Sequence, residues 1–121
     1  LGMQLLFQLS AEGPTTCLGV LDGTVERLQA RSHLPVPHMG WNQLAPTASD
    51  PLLEDIAAGD YVYFVHSYAA PRSDVTLATT HYGVEVSAAV RRGNFWGTQF
   101  HPERSGRTGA RILANFLRVA C

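Results

Sequence analysis

Apolar positions recur at helical spacing near both ends of the chain and at strand spacing between them. Leu5, Leu6 and Leu9 share one face of a 3.6-residue repeat, and Ser10-Ala11-Glu12-Gly13-Pro14 supplies a stop, so the spacing predicts a helix from residue 1 to about residue 9. Leu18-Gly19-Val20-Leu21 and Thr24-Val25-Glu26-Arg27-Leu28 flank Asp22-Gly23, a hairpin dipeptide, and read as two short strands around a turn. The polar, proline-punctuated residues 29–37 read as a surface connection, and residues 37–44 as a strand. Asp50 can cap a short helix with Pro51 at its first position, Leu52, Leu53 and Ile56 as its apolar residues and Gly59 at its end. Residues 61–68 form a nearly unbroken β-branched and aromatic run, which predicts a central strand buried on both faces. Residues 75–80, 86–90 and 95–100 are further strands, with Arg92-Gly93-Asn94 turning between the last two. Ser105 can cap a final helix in which Ala110, Leu113, Ala114 and Leu117 make one face, widened by Ile112, Phe116 and Val119. Strands with a helix at each end imply a layered α/β or α+β domain.

The 121 residues suffice for one domain and one core. With 45% hydrophobic residues, 16% charged residues and a net charge of -1, the chain lacks the basic excess of a nucleic-acid surface. No apolar run approaches the roughly 20 residues of a membrane-spanning helix and no signal segment opens the chain, which points to the cytoplasm. Cys17 and Cys121 are too few for a disulfide framework and are expected as free thiols. The histidines at 33, 38, 66, 81 and 101 lack the close spacing of zinc ligands, so neither a metal nor another cofactor is expected. Leu1-Gly2-Met3-Gln4 starts without a capping residue or an initiator methionine, as if the chain began inside a larger fold.

Chemistry concentrates at Gly97-Thr98-Gln99-Phe100-His101-Pro102-Glu103, where a strand pattern ends in His-Pro-Glu. Ends of strands are where α/β sheets carry their sites. Proline holds the preceding residue extended, so His101 and Glu103 can project to one side, and the carboxylate can orient the imidazole as a base that activates a nucleophile requires. The same pair also fits a surface contact near a helix start. Gln4 by itself fits a solvated residue, His66 a satisfied core histidine and Trp41 a core tryptophan.

The string from Gly97 to Glu103 resembles the histidine and glutamate segment of class I glutamine amidotransferases. Leu1-Gly2-Met3-Gln4 is similar to the tail of that family's motif Gly-x-Cys-x-Gly-x-Gln, with the cysteine falling immediately before Leu1. Pro37-His38-Met39-Gly40-Trp41-Asn42 and Tyr63-Phe64-Val65-His66-Ser67-Tyr68 resemble the branch that serves imidazole glycerol phosphate synthase. The resemblance covers nearly the whole chain. It implies an α/β fold of the flavodoxin-like three-layer kind, a mixed sheet with flanking helices, of which residues 1–121 are the carboxy-terminal part. The family domain has about two hundred residues, so the amino-terminal strands, an oxyanion loop and the nucleophile would lie outside this sequence.

The implied activity is release of ammonia from glutamine for histidine biosynthesis, with His101 and Glu103 as catalytic pair. Leu1, through its amide, together with Gly2, Gln4, His66, Ser67 and Tyr68, would contact the substrate. Pro37, His38, Met39, Gly40, Trp41, Asn42 and Arg104 would face a cyclase subunit of β/α-barrel form; Arg104 stands where the family commonly has lysine, which changes the geometry of an interface ion pair. An alternative is a truncated module without activity, retained for binding. Loss of the first strands would leave an open edge and an uncovered apolar face, so self-association or a companion segment in the gap is expected.

Overall fold

The computed structural model describes residues 3–11, 15–30 and 34–120; the expectations for Leu1, Gly2, His33 and Cys121 lie outside them. Among these residues, ten short strands and one α-helix form a mixed α/β arrangement. The strands are β1 (Leu9–Ser10), β2 (Thr15–Thr16), β3 (Thr24–Arg27), β4 (His38–Gln43), β5 (Ala45–Pro46), β6 (Tyr61–His66), β7 (Tyr68–Ala69), β8 (Thr76–His81), β9 (Glu85–Arg92) and β10 (Phe95–Thr98), and the helix is α1 (Gly106–Ala120).

The sequence pattern is clearest in the sheet β10-β9-β8-β5, whose neighbours all pair antiparallel. The turn at Gly93, with φ of 59°, uses the left-handed conformation that glycine takes without a Cβ clash. β8 and β9 are buried along most of their length, and Leu77, Ala78, Ala88 and Ala89 join Leu44, Val62, Phe64, Phe100 and Ile112 in the main core. A second core gathers Met3, Phe7, Leu21, Val25, Ala70 and Val90.

Four expectations change before the final helix. The amino-terminal helix is only a 3₁₀ turn, Gln4–Leu6; Leu9 is already in β1, because Leu5 and Leu9 stay exposed while Met3 and Phe7 supply the burial. Residues 18–21 are not a strand, and β3 pairs instead with β1, in parallel, and with β7. Gly23 turns there with φ of 117°, but Gln8 and Leu6 take the neighbouring backbone bonds, donating to Gly23 and accepting from Leu21 respectively. Asp50 does cap, accepting from the Leu52 amide, yet the helix is a single 3₁₀ turn, Pro51–Leu53. β6 is not buried on both faces: its burial alternates, and among the described residues it pairs only with β4. The opposite edge of β6 is closed at Tyr63, whose N–H donates to Ser105 Oγ (2.9 Å) and whose carbonyl accepts from the His101 amide (3.0 Å).

The helix α1 forms as predicted but turns a different face inward. Gly109, Ile112 and Asn115 are buried, whereas Leu113 and Leu117 are exposed. Polar anchors set this rotation. A Cβ on Gly109 would come within 1.9 Å of the Pro102 carbonyl oxygen, so only glycine lets the helix lie against the His-Pro-Glu turn. Asn115 Nδ2 donates to the carbonyls of Leu52 and Glu54 at 3.0 and 2.9 Å. Ser105 stands just before the helix, but its hydroxyl does not cap: it donates to the His101 carbonyl (2.6 Å) while accepting from Tyr63.

Candidate functional site

Beyond β10 the chain is extended at His101 (φ -97°, ψ 99°) and then makes a 3₁₀ turn, Pro102–Arg104, with proline at its first position. His101 Nδ1 lies 2.9 Å from Glu103 Oε1. A carboxylate only accepts, so Nδ1 carries a proton, and in the neutral ring Nε2 keeps its lone pair. The two side chains are 44% and 60% exposed, which leaves that lone pair open to an incoming molecule. The backbone beneath is held from both sides: the His101 amide by Tyr63, its carbonyl by Ser105 and by the Arg104 amide.

The amino-terminal segment packs beside this strand. A Cβ on Gly97 would meet Met3 Cγ at 2.8 Å, so the glycine in Gly-Thr-Gln-Phe-His is the space that Met3 occupies. Gln4 is buried, not solvated. Its Nε2 donates to Gln99 Oε1 (2.9 Å) and to the Tyr68 carbonyl (2.8 Å), drawing together residues 64 and 95 positions apart. Gln4, Tyr68 and the segment that leads from β10 to His101 are therefore one cluster. The Ser67 carbonyl accepts from the Leu28 amide and the Tyr68 carbonyl from two donors, so any ligand contact from this stretch falls to its other groups.

His66 does not open onto the cluster. It is 6% exposed, its Nδ1 facing the Tyr68 carbonyl at 2.9 Å and its Nε2 facing His38 Nδ1 at 2.9 Å. His38, 3% exposed, stacks between Phe64 and Tyr82 at centroid distances of 4.8 and 3.9 Å. In β4 the residues alternate sides: His38 and Asn42 turn inward, whereas Met39 and Trp41 face out. His38 is thus removed from the expected partner face by burial. Trp41, 54% exposed, meets Tyr63 edge-on at 5.9 Å; the Arg104 guanidinium covers the same Tyr63 ring at 4.8 Å. Trp41 also reaches the turn after Glu103, lying 3.9 Å from where a Cβ of Gly106 would stand. Met39, Trp41, Tyr61 and Arg104 form one aromatic and cationic surface beside His101.

Burial first, and the neighbouring His66 ring second, push His38 down from 6.5 to about 4. Burial also lowers His66, partly offset by its hydrogen bond to the Tyr68 carbonyl. Between these values the folded state binds fewer protons than the unfolded chain, so stability present at neutral pH is lost as pH falls from 6.5 towards 4. For His38 the loss is about 3 kcal/mol by the bottom of that window. Urea midpoints are expected to fall across it and to fall less in His38→Phe; equal pH slopes for the two proteins would contradict this account.

Sequence reasoning missed Gln99, Tyr63 and Ser105 as supports of the pair. The glycines at 97 and 109 were the available signal, each marking a close approach.

Set against known proteins, the sequence matches the family described as glutamine amidotransferase class-I over residues 1–120. The chain belongs to the class I glutamine amidotransferase family. The imidazole glycerol phosphate synthase subunit HisH of Xylella fastidiosa strain Temecula1 is 51% identical over 119 residues, covering 98% of this chain and 60% of that protein. The HisH subunit of Vibrio parahaemolyticus is 49% identical over 125 residues, covering 98% and 61%, and that of Shewanella loihica 48% identical over 129 residues, covering 98% and 57%. The chain spans about three fifths of the length of these relatives. Among the described residues no helix is long and apolar enough to cross a membrane.

Proposed function

We propose that this chain carries the base and the partner-facing surface of a glutamine amidotransferase subunit of imidazole glycerol phosphate synthase, acting in the cytoplasm. The observation that carries the reading is the 2.9 Å His101–Glu103 contact just beyond β10, on a segment whose Gln99 is braced against Gln4. The relatives named as HisH support the branch.

In this reading the nucleophile is a cysteine immediately before Leu1. Its thiol gives a proton to His101 Nε2, and the thiolate attacks the side-chain amide carbon of glutamine. The C–N bond breaks, the proton on Nε2 leaves with ammonia, and a glutamyl thioester remains. Water then loses a proton to Nε2 and attacks the thioester; the C–S bond breaks, glutamate departs and the thiol is restored. Glu103 holds the ring tautomer and stabilises its cation in both steps. The oxyanion is held by backbone donors that include the amide of Leu1, beside Gly2. Gln4, Ser67 and Tyr68 shape the substrate side, with His66 behind them. The cyclase subunit docks on Pro37, Met39, Gly40, Trp41 and Arg104, where an amphipathic aromatic suits an interface, with Asn42 and His38 beneath.

Acid quenching of the complete amidotransferase with glutamine, followed by mass spectrometry, tests this. A glutamyl adduct is expected on the cysteine preceding Leu1; an adduct on Cys17, or none, contradicts it. A second reading, a binding module that self-associates, is favoured by the exposed Leu113 and Leu117 of α1. Sedimentation distinguishes it: concentration-dependent dimers support that reading, a compact monomer removes it.

A further inference from the structure

The two buried imidazoles are the polar feature that this mechanism leaves unused. Their proton positions follow from their partners. The Tyr68 carbonyl only accepts, so His66 Nδ1 must donate to it (2.9 Å). In a neutral ring His66 Nε2 then accepts, which makes His38 Nδ1 the donor across 2.9 Å. His38 Nε2 accepts in turn from Asn42 Nδ2 (3.4 Å), which also donates to the His81 carbonyl (3.0 Å). The hydrogen bonds run in one direction from Asn42 on β4 to Tyr68 on β7, ending on the carbonyl that Gln4 also holds. Both acceptor positions of the Tyr68 carbonyl are filled, so the peptide plane between Tyr68 and Ala69 is fixed. An apolar pair of the same size would fill this core without fixing it.

We infer that His38 and His66 are positioning residues for glutamine binding: their one-way hydrogen-bond chain sets the orientation of the Tyr68 carbonyl, and with it the backbone that carries Tyr68 beside Ser67. The inference rests on the functional reading above. Neither ring touches the substrate, so the effect belongs to glutamine affinity more than to the chemical step.

The test is steady-state ammonia release by the complete amidotransferase with its cyclase subunit, comparing parent, His38→Phe, His38→Asn and His101→Ala. His38→Phe keeps the stack between Phe64 and Tyr82 but removes the donor to His66; His38→Asn keeps a donor near the position of Nδ1. His38→Phe is expected to raise KM for glutamine about tenfold with kcat within about threefold, and His38→Asn to recover most of that loss. If the parent is active, His101→Ala is inactive and His38→Phe has the parent's KM, the positioning role is overturned while the functional reading stands. If the parent itself releases no ammonia, both fall. Should His38→Phe not fold, imidazole ¹⁵N resonances of the parent at neutral pH decide: both rings as Nδ1–H tautomers are expected, and an Nε2–H tautomer at either ring overturns the inference.

Discussion

Replacing His101 with alanine is expected to lower the rate of glutamine hydrolysis by about 10³-fold or more, with a much smaller change in KM. The ring serves both half-reactions, taking a proton from the thiol and giving it to ammonia in the first, then taking one from water in the second. No other described side chain holds its position, because the turn that presents it is specified by Pro102, by the Ser105 hydroxyl that bridges the Tyr63 N–H and the His101 carbonyl, and by the bond from the His101 amide to the Tyr63 carbonyl. Glu103→Gln should cost less, about 10- to 100-fold, since the amide can still accept from Nδ1 but no longer balances the cation. Kinetics of the two variants in the complete enzyme check this. Equal losses, or a His101→Ala enzyme within tenfold of the parent, would move the base elsewhere.

Replacing Asp50 with alanine is expected to destabilise the fold by about 3–5 kcal/mol, although it is not one of the candidate site residues. The Asp50 side chain is 4% exposed and accepts three hydrogen bonds: from the Leu52 amide (2.9 Å), from Arg91 Nη1 (2.8 Å) and from Trp96 Nε1 (3.2 Å). The Arg91 guanidinium also lies 4.3 Å from the centre of the Trp96 ring. Removal of the carboxylate strands three donors at once, two of them on the β9–β10 pair that leads to His101. Arg91 is one-third exposed, so solvent screens part of the ion pair and the lower end of the range is the better expectation. Burial raises the Asp50 carboxyl, but the bonds from Arg91, Leu52 and Trp96 and the Arg91 charge outweigh it, and the net shift is below the ordinary 3.8. Its contribution is therefore present above that pH and is lost as pH falls below it. Urea midpoints of Asp50→Ala and Asp50→Asn measure the effect, the asparagine variant losing less; an unmoved midpoint would show that the cluster does not hold the sheet edge.

What the sequence made legible follows from where local pattern and tertiary structure agree. The strands read at 75–80, 86–90 and 95–100 and the turn at Gly93 between the last two are present with small shifts of their ends, as Thr76–His81, Glu85–Arg92 and Phe95–Thr98. The His-Pro-Glu turn was legible for a similar reason: proline constrains its neighbour whatever the rest of the chain does. The amino-terminal segment was misread because three leucines at helical spacing mark a face only if that face is buried, and here Leu5 and Leu9 are not. The face of α1 was misread in the opposite way. Counting apolar residues chose Leu113 and Leu117, whereas the helix is clamped by Gly109 against Pro102 and by Asn115 against the turn at Leu52. Contacts between residues tens of positions apart, such as Gln4 with Gln99 or Asp50 with Arg91, leave no periodic trace. The His38–His66 contact is visible only once β4 and β6 are set in register, where the two residues fall directly opposite each other.

The most direct test of the account is ammonia release from glutamine by the complete amidotransferase, measured with and without the cyclase subunit. Turnover that rises on addition of the subunit, and that His101→Ala abolishes, is the predicted result. No release in the presence of the subunit, or release that survives the loss of His101, would contradict it.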